Sequence, residues 1–153
     1  MTPAERIEHY PAIEDLRQIA KRRMPHFAWE YLDSGTGLEC AVNRNREELD
    51  RIIITPKGLK GASKPKLKTH LFDRTYDLPF GIAPVGMSGL MWPGAEHLLA
   101  NTAKTKNIPY SLSTVACETP ETVGQRAGGN AWYQLYTFAD MQINTDLLKR
   151  AAD

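Results

Sequence analysis

Long apolar runs are absent from this chain of 153 residues. Nowhere do about 18 apolar residues stand together, so no segment reads as a membrane span. The amino-terminal stretch from Met1 to His9 has no apolar heart of the kind a secretory leader needs. Cysteine is scarce: Cys40 and Cys117 stand far apart and without metal-ligand spacing, which excludes a disulfide framework and makes a reduced, cytoplasmic setting the default. An excess of charge is also missing, with 19 Lys and Arg against 18 Asp and Glu, so no electrostatic footprint argues for nucleic acid. The one basic patch, Lys57, Lys60, Lys64, Lys66 and Lys68, is broken by Pro and Gly and reads as a solvated loop. The four histidines, His9, His26, His70 and His97, have no partner at i,i+4 and no neighbouring cysteine, so no metal site is expected. No GxGxxG follows a strand, no phosphate-binding GxxxxGK loop occurs, and neither Ser111 nor Ser113 lies in a nucleophile elbow.

What is present is organised around Pro79-Phe-Gly-Ile-Ala-Pro-Val-Gly-Met87. Phe80 to Ala83 lacks the alternation of a half-wet strand and reads as a strand buried on both faces, as parallel sheets require. Pro84 ends it because it has no N–H to give a ladder, and Gly86 leaves no side chain between backbone and ligand.

Ahead of that stretch, Ile13, Leu16, Ile19 and Ala20 repeat at helical spacing, with Arg17, Lys21, Arg22 and Arg23 toward the carboxyl end, where the helix dipole favours them. Pro25 suits the first turn of a second helix through Trp29 and Tyr31, which Gly35 is placed to stop in a left-handed cap. A polar helix is expected over Cys40 to Asp50. Arg51 to Pro56, with three successive isoleucines, reads as a strand or extended segment. Residues 57–69 read as loop, and Leu71 to Leu78 as a hairpin or short extended piece. Strand and helix then alternate. Pro93 opens a helix with Ala95, Leu98, Leu99, Thr102 and Ala103 on one face, and Pro109 to Ser113 is a second buried strand. Thr119-Pro120-Glu121 starts a helix that Gly128-Gly129 ends, Ala131 to Tyr136 is a third strand, and Asp140 caps a last helix. Successive βα units of roughly 25 residues imply parallel strands with right-handed crossovers, as an open doubly wound sheet or part of a (β/α)8 barrel. In either, ligands bind at the strands' carboxyl ends, here Pro84-Val85-Gly86, Ser113-Thr114 and Gln134-Leu135-Tyr136. Those groups suit hydrogen bonding to a flat heteroaromatic.

The order Trp29-Glu-Tyr31-Leu-Asp-Ser-Gly35, Asn43-Arg-Asn-Arg46, Leu78-Pro-Phe-Gly-Ile-Ala-Pro84-Val-Gly-Met87, Leu112-Ser113-Thr114 and Tyr133-Gln134-Leu-Tyr136 resembles the FMN-dependent 2-hydroxy acid dehydrogenase and oxidase family. The resemblance runs from about Ile13 to the end. Ala83 to Pro93, with Gly86 and Trp92-Pro93, looks most like its mandelate dehydrogenase branch. It implies an α/β (β/α)8 TIM barrel with FMN at the carboxyl ends of the strands. Residues 1–78 would be an amino-terminal helical and hairpin segment closing the barrel floor, and 79–153 the first three βα units. Pro84, Val85 and Gly86 would lie against the flavin, and Ser113 and Gln134 would hydrogen-bond its polar edge. Tyr31 would reach the substrate carboxylate, and Tyr136 would act at the substrate hydroxyl as the catalytic phenol. Gly86, lacking a methyl beside the flavin, would leave space for a bulky or aromatic 2-hydroxy acid.

A TIM barrel usually needs about 250 residues. The expectation is therefore the amino-terminal half of a flavin oxidoreductase, inactive alone because the family's catalytic histidine, its substrate-binding arginines and the FMN phosphate site belong to a complementary carboxyl-terminal half. The complete protein is expected to be a homo-oligomer, cytoplasmic or peripheral to a membrane. An FMN-binding barrel of another reaction class, such as an isomerase, and a non-catalytic half-barrel assembly module are the alternatives.

Overall fold

The computed structural model describes residues 3–59 and 64–152; Lys60, in the expected basic loop, falls outside them. The chain forms two compact units, Met1–Lys64 and Pro65–Asp153.

The first unit is helical, with α1 (Pro3–His9), α2 (Ile13–Arg23), α3 (His26–Asp33) and α4 (Cys40–Asp50). At the start of α2, the Asp15 carboxylate accepts the Ala12 N–H at 3.0 Å, so one otherwise orphaned terminal donor is satisfied. Arg17 fixes α2 against α3 by donating through Nε and Nη2 to the two Asp33 carboxylate oxygens at 2.6 and 2.9 Å. Such a forked pair sets an orientation as well as a distance. Trp29 is buried in this unit, with the Arg17 guanidinium and the Lys21 ammonium 6.0 and 5.8 Å from its ring centre.

One expectation fails here and a second is narrowed. Helix α3 ends on Ser34 in extended backbone, not on a left-handed Gly35. Gly35 serves a close approach instead: a Cβ there would lie 2.4 Å from Val42 Cγ2. Its N–H donates to Glu39 Oε1 at 3.0 Å, and the left-handed turn is taken by Gly37 (φ 64°). Residues 51–56 form no strand. Ile52, Ile53 and Ile54 are 72, 82 and 87% exposed. β-Branched residues favour extended backbone, but a strand also needs a partner for its N–H and C=O groups, and none pairs with this run.

In the second unit β1 (Thr69–Leu71) and β2 (Arg74–Tyr76) form an antiparallel hairpin. There follow α5 (Ser88–Met91), α6 (Ala95–Lys106), β3 (Tyr110–Ser113), α7 (Pro120–Ala127), β4 (Ala131–Gln134) and α8 (Met141–Ala152). Strands β3 and β4 pair in parallel, with Ser113 opposite Gln134. The expected first strand is reduced to a single parallel bridge between Ile82 and Tyr110. Pro79 and Pro84 closely flank that bridge, and a residue without an N–H cannot extend a ladder. The spatial order 82, β3, β4 thus follows the chain order.

The core lies on one face of this sheet. Tyr110, Leu112, Ala100, Ala103, Val123 and Ala127 cluster there, and Ile82, Ala131 and Tyr133 pack against them. Both crossover helices, α6 and α7, therefore cover the same face, as right-handed crossovers between strands laid down in chain order require. The expected inward stripe of α6 holds in part: Ala103 is buried and Leu99 packs against the core, but Leu98 is exposed and Glu96 and Ala100 are buried beside them. Small residues face the strands because alanine allows the helix to approach closely. Helix α7 starts as expected, with Thr119 Oγ1 accepting the Thr122 N–H at 3.3 Å, and ends on left-handed Gly128. The hairpin is tied to the βα units by Arg74, whose guanidinium donates to the Gly129 and Gly128 carbonyls at 2.7 and 3.2 Å. Trp132 Nε1 also donates to the Tyr76 hydroxyl at 3.2 Å. Among the described residues no helix is long and apolar enough to cross a membrane.

Gly81 carries the first strand past Pro109 at a separation only glycine permits. An added Cβ would meet Pro109 Cγ at 2.6 Å and its carbonyl oxygen at 2.7 Å. Gly81→Ala is expected to lower stability by about 1–3 kcal/mol, the usual cost of overpacking, read as a shifted urea midpoint. Between α7 and α8, Arg150 Nε donates to Glu121 Oε1 at 2.6 Å. This hydrogen bond, aided by Glu121's own backbone N–H and by Thr119, holds the Glu121 carboxyl down to about 2. A depressed carboxyl stabilises the fold above the ordinary carboxylate range and loses that contribution as pH falls toward 2. NMR titration should place Glu121 near that value, and Arg150→Ala should return it to the ordinary range.

Candidate functional site

Alternation along two short strands decides what faces the open side of the sheet. Tyr110 and Leu112 point into the helix layer, so Ser111 and Ser113 point the other way, and their register partners Trp132 and Gln134 share that face. Among the described residues of this unit no helix covers it. At its lower part runs an apolar groove of about 260 Å³ bordered by Leu71, Phe80, Ile82, Pro109, Ser111 and Trp132. At its upper part, the carboxyl ends of the strands, Ser113 and Gln134 stand side by side.

Three loops leave these strand ends, and backbone hydrogen bonds join them into one rim. The Met87 N–H donates to the Val115 carbonyl at 2.8 Å, linking the Pro84-Val85-Gly86 loop to the loop after β3. Thr114 links that loop to the next: its N–H donates to the Gln134 carbonyl at 3.1 Å, and its Oγ1 accepts the Tyr136 N–H at 2.9 Å. Of the residues expected at the site, Pro84, Val85, Gly86, Ser113, Gln134 and Tyr136 therefore lie on this rim. Tyr31 belongs to the first unit, in the last turn of α3, with its ring half-exposed.

The chemistry of the rim is neutral and polar. Ser113 is only 2% exposed, and its Oγ accepts the Val115 N–H at 3.3 Å, which leaves its O–H to donate elsewhere. The Gln134 amide makes no hydrogen bond among the described residues and offers both a donor and an acceptor. Tyr136 is 48% exposed, and no partner for its hydroxyl occurs among the described residues. Pro84 presents a ring without an N–H. A flat heteroaromatic with an apolar face and a hydrogen-bonding edge fits this donor set; a metal ion, which needs charged or imidazole ligands, does not.

Behind the rim, between the helices and β3, lies a carboxylate that sequence reasoning missed. Glu96, in the first turn of α6, is 0% exposed. Its Oε1 accepts the Gly89 N–H at 2.9 Å and the Cys117 N–H at 3.1 Å. Burial pushes its carboxyl up, but hydrogen bonds from its own N–H and from those of Cys117 and Gly89 outweigh this and hold it below its ordinary value. The buried Ser88 hydroxyl also favours the ionised form, although neither it nor Glu96 Oε2 completes a hydrogen bond of normal geometry. Burial, together with the Glu96 charge, pushes the neighbouring Tyr110 phenol up to about 12. In sequence, Glu96 looks like any acid in a first helical turn.

Comparison with known proteins agrees with this geometry. Residues 20–153 match the profile of the FMN-dependent dehydrogenase family. The L-lactate dehydrogenase of Pseudomonas paraeruginosa (strain DSM 24068 / PA7) is 36% identical over 140 residues, which make up 92% of this chain and 37% of that protein. That of Xanthobacter autotrophicus is 35% identical over 137 residues, 90% of this chain and 35% of its own length. Among solved structures, a mandelate oxidase superposes with a TM-score of 0.86 at 29% identity, over 94% of this chain and 41% of the other. A soluble mutant of the membrane-associated (S)-mandelate dehydrogenase from Pseudomonas putida gives 0.84 at 29% identity, over 92% and 40%. The chain thus spans well under half the length of these relatives. Its fold matches part of the TIM barrel of these neighbours, and the described residues form no closed barrel. The family match over most of its length establishes that the chain belongs to the FMN-dependent dehydrogenase family.

Proposed function

We propose that this chain is the amino-terminal portion of an FMN-dependent oxidoreductase that oxidises a 2-hydroxy acid to the 2-oxo acid. The observation that carries the reading is the rim itself: Ser113 and Gln134 in register on the open face, with the Pro84 to Gly86 loop joined to theirs through the Met87–Val115 backbone hydrogen bond and Tyr136 through the Thr114 hydroxyl. In this reading Pro84, Val85 and Gly86 lie against the flavin, while Ser113 donates to its polar edge and Gln134 contributes amide hydrogen bonds. When bound, FMN supplies the acceptor for the two electrons that leave the 2-hydroxy carbon. Tyr136 is the catalytic phenol, donating a hydrogen bond to the substrate oxygen as charge develops on it, and Tyr31 holds the substrate carboxylate.

The proton acceptor comes from a complementary carboxyl-terminal half, not from this chain. None of the histidines is among the rim residues, and three of them have side-chain partners elsewhere. His97 Nε2 lies 2.9 Å from Glu118 Oε1, His26 Nδ1 lies 3.4 Å from Glu30 Oε1, and His70 Nδ1 lies 3.2 Å from Thr75 Oγ1. The same half covers the open face and the apolar groove, and the completed protein is a homo-oligomer, cytoplasmic or peripheral to a membrane. Gly86 favours a bulky or aromatic substrate.

Dye reduction with L-lactate and with mandelate tests this directly. The chain alone should give no turnover, and the chain assembled with its complement should turn over. Turnover by the isolated chain would contradict the external proton acceptor. In the assembly, Tyr136→Phe should lower kcat about 100-fold, the loss typical of one transition-state hydrogen-bond donor, with a smaller change in KM. Gly86→Ala should reduce kcat/KM for mandelate about tenfold more than for lactate, the scale of one methyl group in a pocket. Unchanged binding of 2-hydroxy acids by Tyr31→Phe would favour a different reaction class on the same barrel.

A further inference from the structure

Two of the loops that form the rim are held from behind by a single buried carboxylate. Gly89 follows the Pro84-Val85-Gly86 turn, and Cys117 follows Ser113-Thr114. Their N–H groups converge on the same oxygen of Glu96. On the front side the only direct bond between these loops among the described residues runs from Met87 to Val115. Glu96 therefore supplies two of the three hydrogen bonds that set their spacing.

The site is built closely around that carboxylate. A Cβ on Gly89 would lie 2.8 Å from Cys117 Cβ and 2.9 Å from Glu96 Oε2, so the two loops pack across the carboxylate with no room for a side chain. A buried charge is costly unless paired or hydrogen-bonded, and backbone N–H donors are the partners found here. Among the described residues Glu96 makes no hydrogen bond to a rim residue proposed to meet the flavin or substrate.

We propose that Glu96 is a positioning residue for the flavin: by clamping the Gly89 and Cys117 amides it fixes the separation of the two loops whose outer surfaces receive the FMN ring. The proposal rests on the FMN reading above and adds to it a group that acts through the loops and not on the reaction. A site held to within about 0.5 Å depends on such supporting contacts as much as on the residues that touch the ligand.

The test uses the FMN-loaded assembly of this chain with its carboxyl-terminal complement, and compares wild type with Glu96→Ala and Glu96→Gln. In Glu96→Ala, hydrogen exchange at the Gly89 and Cys117 amides should accelerate at least about tenfold, and FMN affinity should fall by a similar factor, the scale of losing a charged acceptor. The visible absorption bands of the bound flavin should shift as its surroundings loosen. Glu96→Gln keeps an acceptor oxygen at the same reach and should restore most of the protection, the affinity and the spectrum. Exchange as slow as wild type in Glu96→Ala would overturn the clamp. Faster exchange with unchanged affinity and spectrum would overturn its role toward the flavin. If Glu96→Ala does not fold, Glu96→Asp, one methylene shorter and unable to reach both amides, serves the same comparison with the same outcomes. A wild-type assembly without FMN affinity would remove the functional reading and this proposal together, whereas a flavin-binding wild type with an indifferent Glu96→Ala removes the proposal alone.

Discussion

The period-two alternation of β3 is the constraint on which the second unit depends. Four residues, Tyr110 to Ser113, carry the chemistry of both layers. Tyr110 and Leu112 anchor the helices, and Ser111 and Ser113 line the open face. A shift of one position would send the serines into the alanine-lined helix layer and the tyrosine and leucine outward, so the register protects core and site together. Asn130 reinforces it: its side-chain amide donates to the Ala103 carbonyl at 3.0 Å, and its own carbonyl accepts the Tyr110 N–H at 2.9 Å. Helix α6, strand β3 and the start of β4 are thereby fixed at one point.

The parts of this unit written in local chemistry were legible in the sequence. Thr119-Pro120 and Gly128 mark the ends of α7 because a hydroxyl cap, a residue with no N–H to lose and a left-handed glycine are each local requirements. The rim residues were found because parallel strands expose their carboxyl ends to small, Pro- and Gly-rich loops. What depended on partners was not legible. The isoleucines at 52–54 have strand character without a strand to pair with among the described residues, and the first barrel strand contracts to the Ile82 bridge because Pro79 and Pro84 cut its ladder short. Gly35 was read as a cap because glycine permits positive φ, yet the structure uses its missing side chain to let Val42 approach.

The α6 face illustrates a different limit. Leu98 sits in what reads as the apolar stripe, but the helix is rotated so that Ala100, Ala103 and a fully buried Glu96 face the strands. Hydrophobic periodicity assumes that acids lie outside. An acid that satisfies backbone donors from two loops reverses this assumption, and nothing in its immediate neighbours announces it. Buried polar groups of this kind make a fold specific at positions where a purely apolar layer would tolerate sliding.

The anchors of the hairpin have a consequence for the order in which the chain acquires structure. Arg74 and Tyr76 reach partners 54 to 56 positions downstream, at Gly128, Gly129 and Trp132. During synthesis the hairpin therefore leaves the ribosome well before the residues that fasten it, and its two three-residue strands are too short to persist alone. Asn107 offers the first tether, its side-chain amide donating to the Thr75 carbonyl at 3.2 Å, and the Arg74 and Trp132 contacts close the lower end of the sheet only once the α7–β4 turn has emerged.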